Sequence, residues 1–244
     1  MLLLRSLCFA VGMLLATLLI APPAVLLFPF PFKVRYGFIA QWARFNLWWL
    51  QQCCGLRYQL RGAEHIPAEN GIIFCKHQSA WETLALQEIF PPQVWLLKRE
   101  LLWIPFFGWG LALLEPIAID RKAGRKALQQ LLTQGKRRLA DGRWVVIFPE
   151  GTRVAPGEKG RYQLGGAILA QKSGYPVIPV AHNAGEFWPR HGFLKHPGTI
   201  QVVIGPPIDT RGKSADEINR LAEEWIEGEM AVIAAPTAAS SAVD

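Results

Sequence analysis

The sequence predicts an α/β class fold: a single layered domain with a mainly parallel or mixed central sheet flanked by helices, preceded by an N-terminal membrane-anchoring helical segment. Three observations carry that expectation. From about Leu56, short β-prone runs alternate with stretches of helical spacing. Two polar motifs, "KHQSAWE" and "FPEGTR", each directly follow an apolar run, the position where ligands gather in parallel sheets. An uncharged stretch long enough to cross a bilayer, Ser6 to Phe28, stands ahead of both.

Composition narrows the classes. A chain of 244 residues with 51% hydrophobic content fits one domain with one sizeable core. A net charge of +7 favours an anionic partner: nucleic acid, anionic lipid or a phosphorylated substrate. Ten tryptophans favour a membrane interface. Against nucleic acid, the cations are scattered, no reading motif is present, and an apolar anchor is the wrong companion. Cys8, Cys53, Cys54 and Cys75 form no CxxC pattern and read as free small hydrophobes in a reducing compartment.

The elements follow in order. Ser6 to Phe28 has the look of a cleaved signal peptide up to Ala24, but the apolar run continues through "VLLFPFPF", which favours retention as an anchor. Pro22 and Pro23 should break a helix within the run, so two half-helices dipping into one leaflet compete with one straight span. Residues 33–52 mix Lys33, Arg35 and Arg44 with Trp42, Trp48 and Trp49 and read as an interfacial helix or a core helix of the domain. The division expected is an anchor over 1–52, a catalytic-type domain over 53–233 and a disordered tail over 234–244. Strands are expected at 56–60, 71–75, 94–98, 116–119, 144–148, 176–180 and 200–205. Helices are expected at Ser79–Ile89, Gly124–Asp141, Gln163–Ser173 and Ser214–Ala231.

Two motifs carry chemistry. In "KHQSAWE", His77 stands at a strand-to-helix turn and Glu82 follows five residues later. Histidine is the usual base near neutral pH, and a carboxylate that fixes its tautomer improves it. The same letters, Ser79 to Glu82, also fit a capping box, in which Glu82 bonds back to the Ser79 backbone. In "FPEGTR", Gly151 permits a tight turn, Glu150 can accept from a hydroxyl, and Arg153 offers a fork of donors suited to phosphate. Lys98 and Arg121 each end an expected strand, so Lys98, Arg121 and Arg153 could converge on one phosphate beside a histidine base. "VIPV", 177–180, reads as core packing. The remaining histidines show no ligand spacing, so no metal is expected.

In order and chemistry these blocks resemble the glycerophospholipid acyltransferases, in particular the bacterial 1-acylglycerol-3-phosphate acyltransferase family. The resemblance covers about Leu56 to Pro207. It rests on His77 with Glu82, "IAIDR" ending at Arg121, "FPEGTR" at 148–153 and "VIPV" at 177–180. It implies that His77 deprotonates the sn-2 hydroxyl of a lysophospholipid acceptor and that Glu82 orients His77. The hydroxyl then attacks the thioester of acyl-CoA or an acyl-carrier protein. Lys98, Arg121 and Arg153 would hold the acceptor phosphate, with Glu150, Gly151 and Thr152 near the glycerol. No cofactor is implied. The implied location is the cell membrane, with the domain on the cytoplasmic face. In the family the acidic residue of the first block is commonly Asp. Glu82 departs from that, which bears on the acceptor more than on the reaction. Two alternatives are a different lysolipid acceptor and a non-catalytic lipid-binding protein at the membrane surface.

Overall fold

The structure is a computed structural model describing residues 1–234; the expected tail, apart from Ala234, lies outside the described residues. Its centre is a seven-stranded sheet in the order β1-β7-β6-β2-β5-β3-β4. The strands are β1 (Leu56–Arg61), β2 (Ile72–Cys75), β3 (Gln93–Lys98), β4 (Ile117–Ile119), β5 (Trp144–Ile147), β6 (Val177–His182) and β7 (Gly198–Ile204). Every neighbouring pair is parallel except β6 with β7. The mixed sheet expected from sequence is present, and all seven expected strands overlap observed ones.

The connections decide which helix lies on which face. Helix α3 (Trp81–Ile89) joins β2 to β3, and α4 (Phe107–Leu113) joins β3 to β4. Helix α5 (Arg125–Ala140) joins β4 to β5, and α6 (Gly165–Ser173) joins β5 to β6. The first two crossovers step toward the β4 edge and the next two step back. Right-handed crossovers that step in opposite directions lie on opposite faces. Helices α1 (Leu2–Leu26) and α2 (Phe32–Cys54) pack with α3 and α4 on one face. On the other face α5 packs on α6, and α8 (Ala215–Ala234) packs on α6 and β6. A short α7 (Ala184–Phe187) follows β6.

Local sequence accounts for these choices. β2 and β5 are buried along their whole length, as parallel strands covered on both faces must be. Helix α5 buries Ala127, Leu131, Gly135 and Leu139 and turns Arg125, Lys126, Lys136 and Arg137 outward. A Cβ at Gly166 would sit 2.7 Å from the Phe74 ring, so only glycine lets α6 lie this close to β2. Pro179 sits in a central strand, normally a poor place for proline. Its carbonyl accepts from Gly205 N, on the β7 side, and the β6–β7 ladder begins only at Val180. The missing N–H thus falls on the β7 side at the end of that ladder, opposite Gly205, and interrupts no bond within it.

One expectation is corrected. Pro22 and Pro23 do not break the N-terminal segment: α1 is one continuous helix from Leu2 to Leu26. Each proline forfeits the bond to the carbonyl four residues before it, at Leu18 and Leu19, but only three helical residues follow Pro23, so little helix remains to be displaced. A turn over 27–30 leads into α2, so the two helices form an antiparallel hairpin. Trp42 donates to Thr17 Oγ1 at 3.0 Å, and Trp49 donates to Cys8 O at 3.2 Å across the pair. Helix α1 is also docked on the domain. Lys195 N donates to Ser6 Oγ at 2.9 Å, and the buried Phe9 meets Trp188 edge-on at 5.4 Å.

Helix α2 packs as a core helix on one side and leaves apolar residues exposed on the other. It buries Tyr36, Ile39, Ala43, Leu47 and Leu50 against the domain and exposes Val34, Phe38, Phe45 and Trp48. Buried Arg35 is tied to Glu115, which also binds Arg138 (2.7 Å) and Arg143 (2.6 Å). Burial works against the Glu115 carboxyl, but the Arg143 and Arg35 guanidinia hold it down at about 2. The outer face of α1 is apolar and exposed: Leu3, Leu7, Val11, Leu14 and Leu18 stand along it. Beyond Arg5 the exposed face of α1 is an uncharged apolar surface suited to a lipid leaflet.

Deleting residues 1–31 is expected to move the chain from liposome-bound to free in a flotation assay. It should also lower the thermal midpoint, because the α2 face covered by α1 is laid bare. Undiminished flotation would assign attachment to the exposed aromatic residues of α2 and α4 instead.

Candidate active site

Strands β2, β5, β3 and β4 are consecutive in the sheet and parallel, so their carboxyl ends share one edge. His77 follows β2, the 148–153 loop follows β5, Lys98 ends β3, and Arg121 follows β4. The topology thus gathers residues far apart in sequence, and a cavity of about 340 Å³ opens there. His77, Lys98, Arg121 and Arg153 all line it, as does Phe148. The rest of the wall is largely apolar: Ala21 and Ala24 of α1, Ile39 and Trp42 of α2, Phe107 and Leu111 of α4.

His77 is held on every side but one. Its ring stacks on Phe148 at 4.0 Å between centroids and 16° between planes. Its backbone N–H donates to Glu150 Oε2 at 3.0 Å, and its carbonyl accepts from Val154 N at 2.8 Å. Nδ1 lies 2.8 Å from Glu82 Oε1. An ionised Glu82 can only accept, so Nδ1 carries the proton and Nε2 is left with its lone pair. That is the tautomer a general base requires.

Glu82 meets both expectations raised by "SAWE". Its carboxylate accepts from Ser79 N at 2.9 Å and 3.1 Å, as a capping box would have it, and also from Gln78 N at 3.0 Å. Ser79 Oγ in turn accepts from Trp81 N at 3.2 Å. Helix start and histidine orientation are therefore one structure. Glu82 is buried. Burial alone would raise its carboxyl; the facing His182 and His77 rings and the Ser79 N–H outweigh this and hold it below the usual carboxylate value.

His182 was not singled out by sequence for any role, yet it lies against this pair. Its Nε2 is 2.8 Å from Lys76 O, and its Nδ1 accepts from Ala184 N at 3.2 Å. These partners require a neutral ring with the proton on Nε2, and burial lowers the imidazole in the same direction. No local pattern announces it, since its partners come from the β2 end and from its own following turn.

The expected phosphate-binding cations do meet. Among the described residues, Lys98, Arg121 and Arg153 have no carboxylate partner, and all three face one cavity. Arg121 donates to the Gly151 carbonyl, and Gly151 has a φ of 68°, the left-handed value the turn demands. Gly151 thereby fixes Arg121 through its backbone and does not itself line the cavity. Thr152 stands exposed on the loop, outside the lining.

Glu150 departs from expectation. Its side chain is fully buried, with Oε1 bound to Lys76 Nζ at 2.7 Å and Gly160 N at 3.1 Å, and Oε2 bound to His77 N. With both oxygens engaged and no place on the cavity wall, it holds the His77 turn and does not read a hydroxyl. Among the described residues no group of three or more His, Cys, Asp or Glu side chains is placed to hold a metal.

Glu82→Gln replaces one acceptor oxygen by an NH2 group that must face N–H donors. The expected loss of stability is about 1–3 kcal/mol. The folded Glu82 carboxyl lies below its unfolded value of about 4.3, so its contribution is fully present above that pH and fades as pH falls through the lower folded value. Chemical denaturation should show wild type losing its advantage over Glu82→Gln on acidification. A constant difference between pH 7 and pH 3 would contradict this account.

Comparison with known proteins agrees with the motifs. The sequence profile of the Acyltransferase family matches residues 57–183. A 1-acyl-sn-glycerol-3-phosphate acyltransferase of Pseudomonas aeruginosa is 51% identical over 207 residues, which is 83% of this chain and 80% of that protein. The corresponding alpha enzyme of Mus musculus is 33% identical over 69% of this chain and 61% of its own length. The crystal structure of the 1-acyl-sn-glycerophosphate (LPA) acyltransferase PlsC of Thermotoga maritima superposes with a TM-score of 0.80. It covers 96% of this chain and 97% of its own at 23% identity, and so speaks for the fold. With a family profile over more than half its length, this chain belongs to the acyltransferase family.

Proposed function

We propose that the chain transfers a fatty acyl group from a thioester donor to the sn-2 hydroxyl of 1-acylglycerol 3-phosphate, giving phosphatidic acid. The observation that carries this reading is the cavity: a histidine with a bare Nε2 stands where three cations without a carboxylate partner meet an apolar channel. A lysophosphatidic acid has the matching parts, a phosphate, a hydroxyl and an acyl chain. The names borne by the relatives from Pseudomonas aeruginosa and Mus musculus support the same acceptor.

In this mechanism His77 Nε2 takes the proton of the sn-2 hydroxyl as its oxygen attacks the thioester carbonyl. Collapse of the tetrahedral adduct breaks the C–S bond, and the imidazolium returns its proton to the leaving thiolate. Glu82 stabilises the imidazolium. The acceptor oxygen is the nucleophile, so no acyl-enzyme is formed. Lys98, Arg121 and Arg153 bind the phosphate, while Glu150 and Gly151 act by holding His77 and Arg121. The donor is acyl-CoA or an acyl-carrier protein. The protein works at the cell membrane, held by the α1–α2 hairpin, with its domain on the cytoplasmic face.

The direct test offers the purified protein several lysolipids and both donor types and reads the products by mass. Acylation of an unphosphorylated lysolipid in preference to lysophosphatidic acid would sink the assignment. His77→Ala should keep its fold, because the side chain opens on the cavity, and lose about a hundredfold or more in turnover.

Arg153→Ala should raise the acceptor KM far more than the donor KM, by a defect of about 1.5–3 kcal/mol for a charge-assisted phosphate contact. Arg153→Lys should recover only part, because an ammonium lacks the planar fork. The loss should shrink with an acceptor that has no phosphate. Equal damage to both acceptors would move Arg153 out of the phosphate site.

A further inference from the structure

We propose that Glu227, on the C-terminal helix α8, is a positioning residue for His77 and acts through a buried brace formed with Lys76 and Glu150. The inference rests on His77 being the base of the proposed reaction. It concerns a charged cluster that the chemistry itself does not use.

The brace centres on Lys76, the residue immediately before His77. Its side chain is 1% exposed, a rare condition for lysine and one that demands partners. Nζ donates to Glu150 Oε1 at 2.7 Å, to Glu227 Oε1 at 2.8 Å and to Glu158 O at 3.1 Å. These three bonds use every N–H of the ammonium. Tyr162 donates to the same Glu227 oxygen at 2.8 Å, and burial with the Glu227 charge pushes its phenol upward, so it remains a donor. Around one ammonium the structure thus joins α8, the β2 end, the loop after β5 and the 158–162 segment.

The connection to His77 runs through Glu150. One of its oxygens takes the Lys76 ammonium; the other takes the His77 N–H. The direction of the Glu150 carboxylate therefore fixes the backbone from which the imidazole hangs. Glu227 fixes Lys76 from the opposite side. Without the Glu227 charge, Lys76 is balanced by Glu150 alone, and the ammonium is drawn toward that one carboxylate. Glu150 then tilts, and the His77 turn moves with it. Reaction rate is sensitive to such shifts, since a misplacement of about 1 Å can cost on the order of a hundredfold.

Local sequence gives no hint of this pairing. Residues 76 and 227 lie 151 positions apart. On α8 Glu227 stands among Glu223, Glu224 and Glu229 and looks like one more solvated carboxylate. What separates it is the partner: Glu224 pairs only with exposed Arg220, and Glu223 with exposed Lys159.

The test is Glu227→Gln, which keeps an acceptor for Tyr162 and Lys76 but removes the charge. Two readouts are taken, steady-state kinetics and amide hydrogen exchange followed by mass. The expected result is a kcat lower by about tenfold or more, with both KM values near wild type, the pattern of a misplaced base. Exchange should quicken in peptides covering 76–79 and 150–160, and stay unchanged in β3 and α5. Glu224→Gln serves as the control and should match wild type in both. If Glu227→Gln is not recovered folded, Glu227→Asp carries the test, with an intermediate kcat expected.

Wild-type kcat in the folded variant overturns the proposal. So does quickened exchange confined to α8, or spread evenly over the chain, which would mark Glu227 as a plain stability contact. The exchange readout needs no substrate. A wild-type protein that fails to acylate lysophosphatidic acid would therefore count against the proposed function and leave the brace to be decided on its own.

Discussion

A carboxylate can accept more hydrogen bonds than a helix start needs, and the site depends on that surplus. Glu82 Oε1 receives the N–H groups of Gln78 and Ser79, which fixes the turn between β2 and α3, and the same oxygen still faces His77 Nδ1. The same group that begins the helix thereby sets the imidazole tautomer. A shorter acid could keep the charge but would have to approach both the backbone and the ring from further back. The glutamate therefore implies a turn built to its reach, and the buried His182 ring fills the space on its far side at 3.9 Å.

Much of this arrangement was legible in the sequence, and the reason is topological. Four adjacent parallel strands end at one edge, so motifs recognised separately as "strand, then polar residue" had to converge. His77, Lys98, Arg121 and Arg153 share a cavity because β2, β3, β4 and the strand before "FPEGTR" share a direction. β-prone runs and helical spacing identified every strand and the four longer helices of the domain. Helix α4 escaped because Gly108 and Gly110 interrupt its pattern, and α7 because it spans a single turn.

What sequence could not supply is which polar residue faces inward. Glu150 and Arg153 lie three residues apart in one loop, yet one side chain is fully buried and the other lines the cavity. Only the position of Lys76 decides this, and a lysine at the end of a strand reads as exposed until its carboxylates are found. The same limit applies to Pro22 and Pro23. Whether they split the helix depends on how much of it lies beyond them, and only three helical residues follow Pro23.

The anchor and the cavity share a wall, and on the proposed function this has a thermodynamic consequence. Thr17, Ala21 and Ala24 of α1 line the cavity, while Leu14, Leu18 and Leu19 of the same helix point outward and are exposed. Being small, these residues let the α1 wall take up little of the cavity. Carrying a lipid tail through water costs about 0.8 kcal/mol for each CH2 exposed. A tail that passes from the leaflet into a cavity bounded by the anchoring helix exchanges one apolar surrounding for another and largely avoids that cost. The phosphate, which cannot enter the leaflet core, would be met in the same cavity by cations that have no carboxylate partner. On this reading the hairpin would do more than tether: by sitting against the domain it would make the membrane and the binding channel adjacent apolar phases, with His77 on the wall they share.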